Sequence, residues 1–452
     1  MKKLPLAIQT FNEIINDNFI YVDKTAHIVK LIENFKYAFL SRPRRFGKSL
    51  LISTLEEFFL GNKELFKGLA IYDFPNWQAN PVIRLDFSNM STENDKLFRS
   101  ALSRRLDNVA TNYELQISIS DVSELFSALI EKLSQKFGRG VVILIDEYDK
   151  PITDHIDNPE ESEKMRDLLR SFFVRMKGND AHIKFAFLTG VSKFSKVSLF
   201  SGMNQITDLT IDSNYATMLG YTQEELESYF DEYLVVLAEK QEMSLTELKE
   251  KVKYWYNGYS WNGKDKVYNP FSILSLFRLG EFENFWYQTG APSLLYKSFK
   301  AEKLTSDLLE QIEADSALLD NLEIRGVNSA GLFFQTGYLT IKERQRTEAG
   351  MLYKLGFPNF EVKQSLFRSL FAHLAELIGV SISSSALNLK SALSKGDIKK
   401  FETILRSLFA QIPSNLYIEE EKFYHSLFIM IMYLSGIDVE AEVNSNIGRI
   451  DG

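Results

Sequence analysis

Two short stretches of this sequence carry residues whose chemistry folding alone does not require. The first is Arg42-Pro43-Arg44-Arg45-Phe46-Gly47-Lys48-Ser49. It closes like the pattern G-x-x-x-x-G-K-[ST], in which backbone N–H groups cradle phosphates, the lysine reaches the β- and γ-oxygens and the hydroxyl binds Mg²⁺. The second is Val141-Val142-Ile143-Leu144-Ile145-Asp146-Glu147, an aliphatic run that ends in two carboxylates. A buried strand has no need of acids. Asp146 suits a Mg²⁺ ion held through its water shell, and Glu147 suits polarising a water during phosphoryl transfer.

The first stretch departs from its pattern, with Arg42 where a glycine normally relieves backbone strain. Its context still fits. An apolar run over 37–40 precedes the loop and a helical run over 50–59 follows it, so a phosphate would sit at a helix N-terminus. Arg44 and Arg45 add positive charge beside Phe46, Gly47, Lys48 and Ser49. The plainer alternative is a basic surface turn with a chance Gly-Lys-Ser. Its occurrence together with Asp146 and Glu147 argues against chance.

A third run, 185–189, ends in Thr189 and continues Gly190-Val191-Ser192-Lys193. Where a strand lies between the phosphate loop and the acid-bearing strand, it ends in a polar sensor. Thr189 is the first candidate and Ser192 the second; a helix N-cap hydroxyl is the competing reading. Arg170 and Arg175 fit either an arginine finger for a neighbouring subunit or ordinary solvated helix residues.

These residues need a scaffold. Short apolar runs at 37–41, 82–87, 141–146 and 185–189 alternate with amphipathic patterns, which predicts an α/β domain with a buried parallel sheet. The fold class expected is therefore an α/β P-loop NTPase domain with a parallel sheet, and the family resemblance given below implies the AAA/STAND-like kind. From about residue 206 the strand signal fades. A helical stretch over 222–255 opens with the capping box Thr222-Gln223-Glu224-Glu225, a turn cluster spans 256–263, and Asn269-Pro270 starts another helix. A helical run ending at Gly337 precedes an expected hairpin, 338–342 with 351–355, around the polar loop 343–350. A winged-helix-like module and a helical lid with an added hairpin both fit that pattern.

The bulk numbers narrow the function classes. A chain of 452 residues calls for about two to four domains. With no cysteine, disulfides and thiol nucleophiles are excluded. A net charge of -8 argues against a generic nucleic-acid coat. The N-terminus lacks the apolar core of a signal peptide, and no run has the length of a membrane span, so a cytoplasmic protein without membrane partners is expected.

In its motifs the chain resembles the bacterial AAA-ATPase-like family, which is often fused to a C-terminal PD-(D/E)XK nuclease-like domain. The stretches that carry the resemblance begin with Tyr21-Val22-Asp23-Lys24-Thr25, the loop from Ser41 to Ser49, and Leu144-Ile145-Asp146-Glu147-Tyr148-Asp149. They continue with Thr189-Gly190-Val191-Ser192-Lys193-Phe194-Ser195, Tyr256-Asn257-Gly258-Tyr259 and Phe334-Gln335-Thr336-Gly337-Tyr338-Leu339. The resemblance implies ATP as the nucleotide with Mg²⁺, and an Arg-rich phosphate loop as a family trait. Catalysis would fall to Glu147, Lys48 and Thr189, nucleotide binding to residues 44–49 and Asp146, and metal binding to Ser49 and Asp146. Tyr21 to Thr25 are candidates for holding the base.

The resemblance extends to the start of the nuclease-like domain. A helix over 421–434 with His425, a strand over 437–443 with Glu442, and Gly448-Arg449-Ile450-Asp451 follow its order. Asp451 would bind the catalytic divalent metal, with His425 and Glu442 as helpers; for His425 a half-buried helix residue is the other reading. The E-x-K strand does not follow, so no nuclease activity is expected from this chain. The division expected is 1–215 ATPase, 216–300 helical lid, 301–400 helical or winged-helix-like module and 401–452 incomplete nuclease-like domain. The function expected is an ATPase switch on that effector, with a nucleotide-binding signalling or DNA-binding scaffold as the alternative. Nucleic acid would be reached through the C-terminal domain of an intact relative, and a homo-oligomer is left open.

Overall fold

The computed structural model describes residues 1–193, 205–286, 312–315, 319, 329–348, 350–366, 368, 383–410, 428, 432, 443–445 and 448–450. Within them the apolar runs of the first half pair as expected. Strands β1 (Tyr37–Ser41) and β3 (Val141–Asp146) are buried along their whole length. Strands β2 (Val82–Asp86) and β4 (Ile183–Gly190) join them in one sheet, with the short β5 (Thr207–Asp208) at an edge. All pairings are parallel, and the order is β2-β3-β4-β1-β5. β4 thus lies between the strand leading into the phosphate-type loop and the strand carrying Asp146. β1 and β3, covered on both faces, read as near-continuous apolar runs without alternation, whereas β2 carries the half-buried Arg84, which pairs with Glu56.

Helices cover both faces. α1 (Phe11–Asn16), α2 (Thr25–Asn34) and α3 (Lys48–Phe59) come from the N-terminal third. α4 (Asp95–Asn112) and α5 (Val122–Phe137) follow β2, and the short α6 (Lys150–Thr153) and the long α7 (Pro159–Gly178) separate β3 from β4. Their ends are set locally. Asn94, Asp121 and Asn158 accept hydrogen bonds from the first-turn N–H groups of α4, α5 and α7, and Gly138 closes α5 in the left-handed region. Phe126 of α5 stacks on Phe172 of α7 with ring centres 4.0 Å apart, locking those helices together.

The helical stretch after the sheet is broken where the sequence reads as one run. It forms three helices, Gln223–Tyr229, Asp231–Lys240 and Leu245–Tyr256. Ser244 makes a second capping box with Glu247, which starts a new helix in the middle of the apparent run. The turn cluster contributes a short strand, β6 (Asn257–Tyr259), paired with β7 (Val267–Tyr268). The helix Pro270–Leu279 follows, capped by Asn269. These helices surround their own core, which also takes in Ile20 and Val22.

The expected hairpin exists but is longer. β9 (Thr340–Thr347) and β10 (Gly350–Gly356) pair antiparallel, so most of the polar segment read as loop is exposed strand. Its charged residues need no apolar face because this end projects into solvent. β8 (Ile312–Asp315) adds to β10, giving the order β8-β10-β9. The helix Ser329–Thr336 precedes the hairpin, and Ser383–Ser394 and Ile398–Phe409 follow it. Near the C-terminus β11 (Val443–Ser445) pairs with β12 (Gly448–Ile450). His425, Glu442 and Asp451 lie outside the described residues. Among the described residues no helix is long and apolar enough to cross a membrane.

Candidate functional site

The loop between β1 and α3 takes a course that explains its missing glycine. Its left-handed residues are Arg45 (φ 68°) and Gly47 (φ 91°), not Arg42. The Arg42 N–H instead continues the sheet by donating to Gly190 O at 3.1 Å. Glycine is needed only where φ turns positive, so a side chain at position 42 costs nothing there. Positive φ at 45 and 47 curls the backbone, the kind of turn that points successive N–H groups into an anion-binding nest.

The Arg42 side chain is fully buried. It donates to Ser41 O (2.8 Å), Thr210 O (2.9 Å) and Tyr215 O (3.0 Å), and its guanidinium lies 3.9 Å from the Trp261 ring centre. Burial pushes its pKa down to about 9, with the Asp208 charge opposing the fall. Lys48, the first residue of α3, is also buried and donates to Arg42 O (2.9 Å) and Pro43 O (3.0 Å). Burial lowers its pKa too, countered by the charges of Asp146, Glu147 and Asp149.

Those acids stand at the carboxyl end of β3. Asp146 is buried, and its Oδ1 accepts from the Thr189 hydroxyl at 2.5 Å and from the Glu147 N–H at 3.1 Å. Thr189 sits in β4, beside β3, with its hydroxyl spent on Asp146 rather than on a helix end. Glu147 has φ 52°, a left-handed conformation rare for a side-chain-bearing residue and common at functional sites. Burial raises its pKa, countered chiefly by Lys48. The Ser49 hydroxyl makes no hydrogen bond among the described residues. One carboxylate and one free hydroxyl suit Mg²⁺, which keeps most of its waters. Among the described residues no cluster of three or more His, Cys, Asp or Glu side chains is arranged to hold a metal.

Asp149 supports this group. Its carboxylate accepts from Val191 N (3.2 Å) and Ser192 N (2.6 Å), and the Tyr148 hydroxyl donates to Ser192 O (3.0 Å). A Cβ on Gly190 would lie 2.6 Å from Asp149 Oδ1, so only glycine lets these segments meet. Ser192 therefore enters through its backbone. Arg170 is exposed, and Arg175 pairs with Glu124 of α5 at 2.5 Å. Of the stretch 21–25, Asp23 accepts from Thr25 N and Ala70 N, and Lys24 pairs with Glu225 at 2.6 Å. That stretch ties the N-terminus to the helices after the sheet.

The C-terminal half grips the loop directly, which no local pattern announces. Phe46 packs edge-on against Tyr259 and Trp261, with ring centres 4.8 and 5.3 Å away. Asn269 Nδ2 donates to Arg44 O at 3.4 Å, and the Arg45 guanidinium lies 5.0 Å from the Phe271 ring centre. Gly337 (φ 93°) packs so closely that a Cβ would lie 2.7 Å from the Pro43 ring. Gln335 Oε1 accepts from Lys193 N at 2.7 Å, and Lys193 forms a buried ion pair with Asp208. The motifs around Tyr259 and Gly337, remote in sequence, thus converge on the loop.

A five-stranded parallel sheet with flanking helices, a Gly-Lys-Ser loop leaving one strand and an acid pair ending another define an α/β domain of P-loop type. Residues 5–200 match the model of a family described as predicted AAA-ATPase. A protein of Azotobacter chroococcum mcd 1, described as an uncharacterized protein in the vnfD 5′ region, is 39% identical over 464 residues, covering 100% of this chain and 86% of its own length. The chain belongs to the predicted AAA-ATPase family.

Proposed function

We propose that this chain is a Mg²⁺-dependent ATP-binding protein that acts as an ATPase switch. The observation that carries this reading is the convergence of Lys48, Asp146, Glu147 and Thr189 at the carboxyl ends of neighbouring parallel strands. Lys48 would leave the carbonyls of Arg42 and Pro43 for the β- and γ-phosphate oxygens, where its buried charge is strongest. The N–H groups of residues 44–49 would cradle the phosphates at the start of α3. Ser49 and Asp146 would hold the metal, which when bound neutralises phosphate charge. Glu147, with its raised pKa, orients the attacking water, and Thr189 keeps Asp146 aimed. The choice of ATP over GTP is supported by the family description alone.

The switch part rests on the grip of the C-terminal half. A loop touched at Arg42, Pro43, Arg44, Arg45 and Phe46 by residues between Tyr259 and Gly337 cannot close on phosphate without moving them. The division into ATPase (1–215), lid (216–300), hairpin-bearing module (301–400) and nuclease-like start (401–452) belongs to this proposal, as do a cytoplasmic setting, a homo-oligomer using Arg170 and a nucleic-acid target for an intact effector. The nuclease-like assignment of Asp451 rests on motif resemblance.

The test compares ATP binding and hydrolysis by this chain, Lys48→Ala and Glu147→Gln with Mg²⁺ present. Binding lost in the first variant, and binding kept without turnover in the second, is the expected result. Full ATP binding by Lys48→Ala would sink the reading. Binding without turnover by the parent would favour a nucleotide-binding scaffold.

A further inference from the structure

The chain leaving β4 is pinned residue by residue. The Thr189 hydroxyl rests on Asp146, and Gly190 O accepts from the Arg42 N–H. Val191 O accepts from the Ser41 hydroxyl at 2.5 Å, and Asp149 takes the N–H groups of Val191 and Ser192. These partners stand at the carboxyl ends of the neighbouring strands β1 and β3. Lys193 is held from elsewhere. Its N–H donates at 2.7 Å to Gln335 Oε1, 142 residues further along the chain.

Gln335 lies in the last turn of the helix Ser329–Thr336 and is buried. A primary amide carries an acceptor oxygen and two N–H donors in one plane, so it can serve an N–H and carbonyls together. Gln335 does so. While its oxygen holds the Lys193 N–H, its Nε2 donates to Leu319 O at 2.9 Å and faces Lys193 O at 3.5 Å. Two residues on, Gly337 packs against Pro43 of the phosphate-type loop.

The Lys193 side chain is anchored in another direction, by its buried ion pair with Asp208. Asp208 lies in β5, in register with Phe39 of β1, and accepts from Thr210 N at 2.9 Å. Thr210 O in turn receives the Arg42 guanidinium at 2.9 Å. Lys193 is therefore where the end of β4, the strand feeding the loop and the C-terminal half meet. A buried chain bonded at each of residues 189 to 193 has little slack, so a shift at Lys193 passes back to Thr189.

We propose that Gln335 is a positioning residue for the hydrolytic step: by holding Lys193 it keeps Thr189 seated on Asp146. Turnover, more than nucleotide binding, then answers to the C-terminal half. This role presupposes the ATPase reading of Lys48, Asp146 and Glu147. Among the described residues the Gln335 amide bonds to Lys193 and Leu319, not to the loop or the acids, so binding should be spared.

Gln335→Met, similar in length and unable to hold the Lys193 N–H, tests this in the full chain. Its kcat for ATP should fall roughly three- to tenfold, because small misplacements at a reacting centre are costly. ATP affinity by equilibrium titration should stay within about twofold of the parent's. Acting through Thr189, the loss should not add to that of Thr189→Val, and the double variant should turn over no more slowly than Thr189→Val alone. Amides 189–193 should exchange hydrogen faster in Gln335→Met without nucleotide. Gln335→Glu keeps the acceptor for the Lys193 N–H and should retain more turnover than Gln335→Met. Gln335→Asn, whose amide is drawn back by one methylene, replaces Gln335→Met in each comparison should that variant not fold. A lowered melting temperature with kcat unchanged, losses that multiply in the double variant, or equal rates for the Met and Glu variants would overturn the proposal and leave the ATPase reading standing. A parent chain that does not hydrolyse ATP would overturn that reading and this role with it.

Discussion

The Arg42 guanidinium lies 3.9 Å from the centre of the Trp261 ring, in a site sealed from solvent on both sides. The contact joins the residue that replaces a loop glycine to a residue of the second half of the chain. It also holds the carbonyl that receives the Lys48 ammonium. The loop of this ATPase-like domain is therefore braced by side chains where its relatives in pattern rely on glycine.

Replacing Trp261 should cost both stability and loop order. Trp261→Ala should destabilise the chain by about 3 kcal/mol or more, from the lost aromatic volume and the lost contact to a buried cation. Trp261→Phe should cost less. Urea unfolding midpoints check the stability, and nucleotide titration checks whether affinity falls with it.

Gly337 faces Pro43 at a positive φ. Gly337→Ala meets both a conformational penalty and a 2.7 Å clash, so a loss above about 1 kcal/mol is expected. Because the clash falls on the phosphate-type loop, nucleotide affinity should drop more than it does for an alanine at Gly396, which has open space around it. Equal affinities in the two variants would disconnect Gly337 from the loop.

Thr189 and Glu147 should separate binding from turnover. Thr189→Val keeps the shape and removes the bond to Asp146, a charge-assisted contact whose loss should slow hydrolysis about tenfold. Glu147→Gln should slow it on the order of 100-fold or more. Both should still bind nucleotide, as equilibrium titration with a fluorescent analogue would report.

Glu361 should make stability depend on pH. Fully buried, it accepts from Ser272 Oγ and Trp286 N, and burial pushes its pKa up to about 7 from an ordinary 4.5, against those bonds. The raised folded-state value means its contribution is fully present below about pH 4.5 and is lost as pH rises toward 7, by on the order of 3 kcal/mol. Glu361→Gln should abolish that part of the dependence, being more stable than the parent at pH 8. Parallel unfolding curves at pH 5 and 8 for both proteins would refute this.

Much of the ATPase-like half was legible because its signals are local. β1 and β3 begin where their apolar runs begin and end on the first polar residue after them, Ser41 and Asp146, since a strand covered on both faces is near-continuously apolar. Thr222 announced its helix through a capping box. The break at Ser244 is hidden in the sequence because helical periodicity continues across it, and the outer half of the hairpin reads as polar loop because a solvent-exposed strand carries no apolar face. Asp149 closes the stretch from Leu144, but nothing in its sequence neighbourhood says that it accepts from Val191 and Ser192.

The sequence by itself determined the chemistry available: a lysine and a hydroxyl after one buried strand, two acids after another, and a threonine closing a third. Tertiary structure alone decided that the third strand lies between the other two, setting Thr189 on Asp146, and that Arg42 has a buried aromatic partner. Strand order and contacts such as Arg44 to Asn269, 225 residues apart, depend on which surfaces meet once helices have packed. Periodicity tells which face of an element is apolar, and leaves open which other face will cover it.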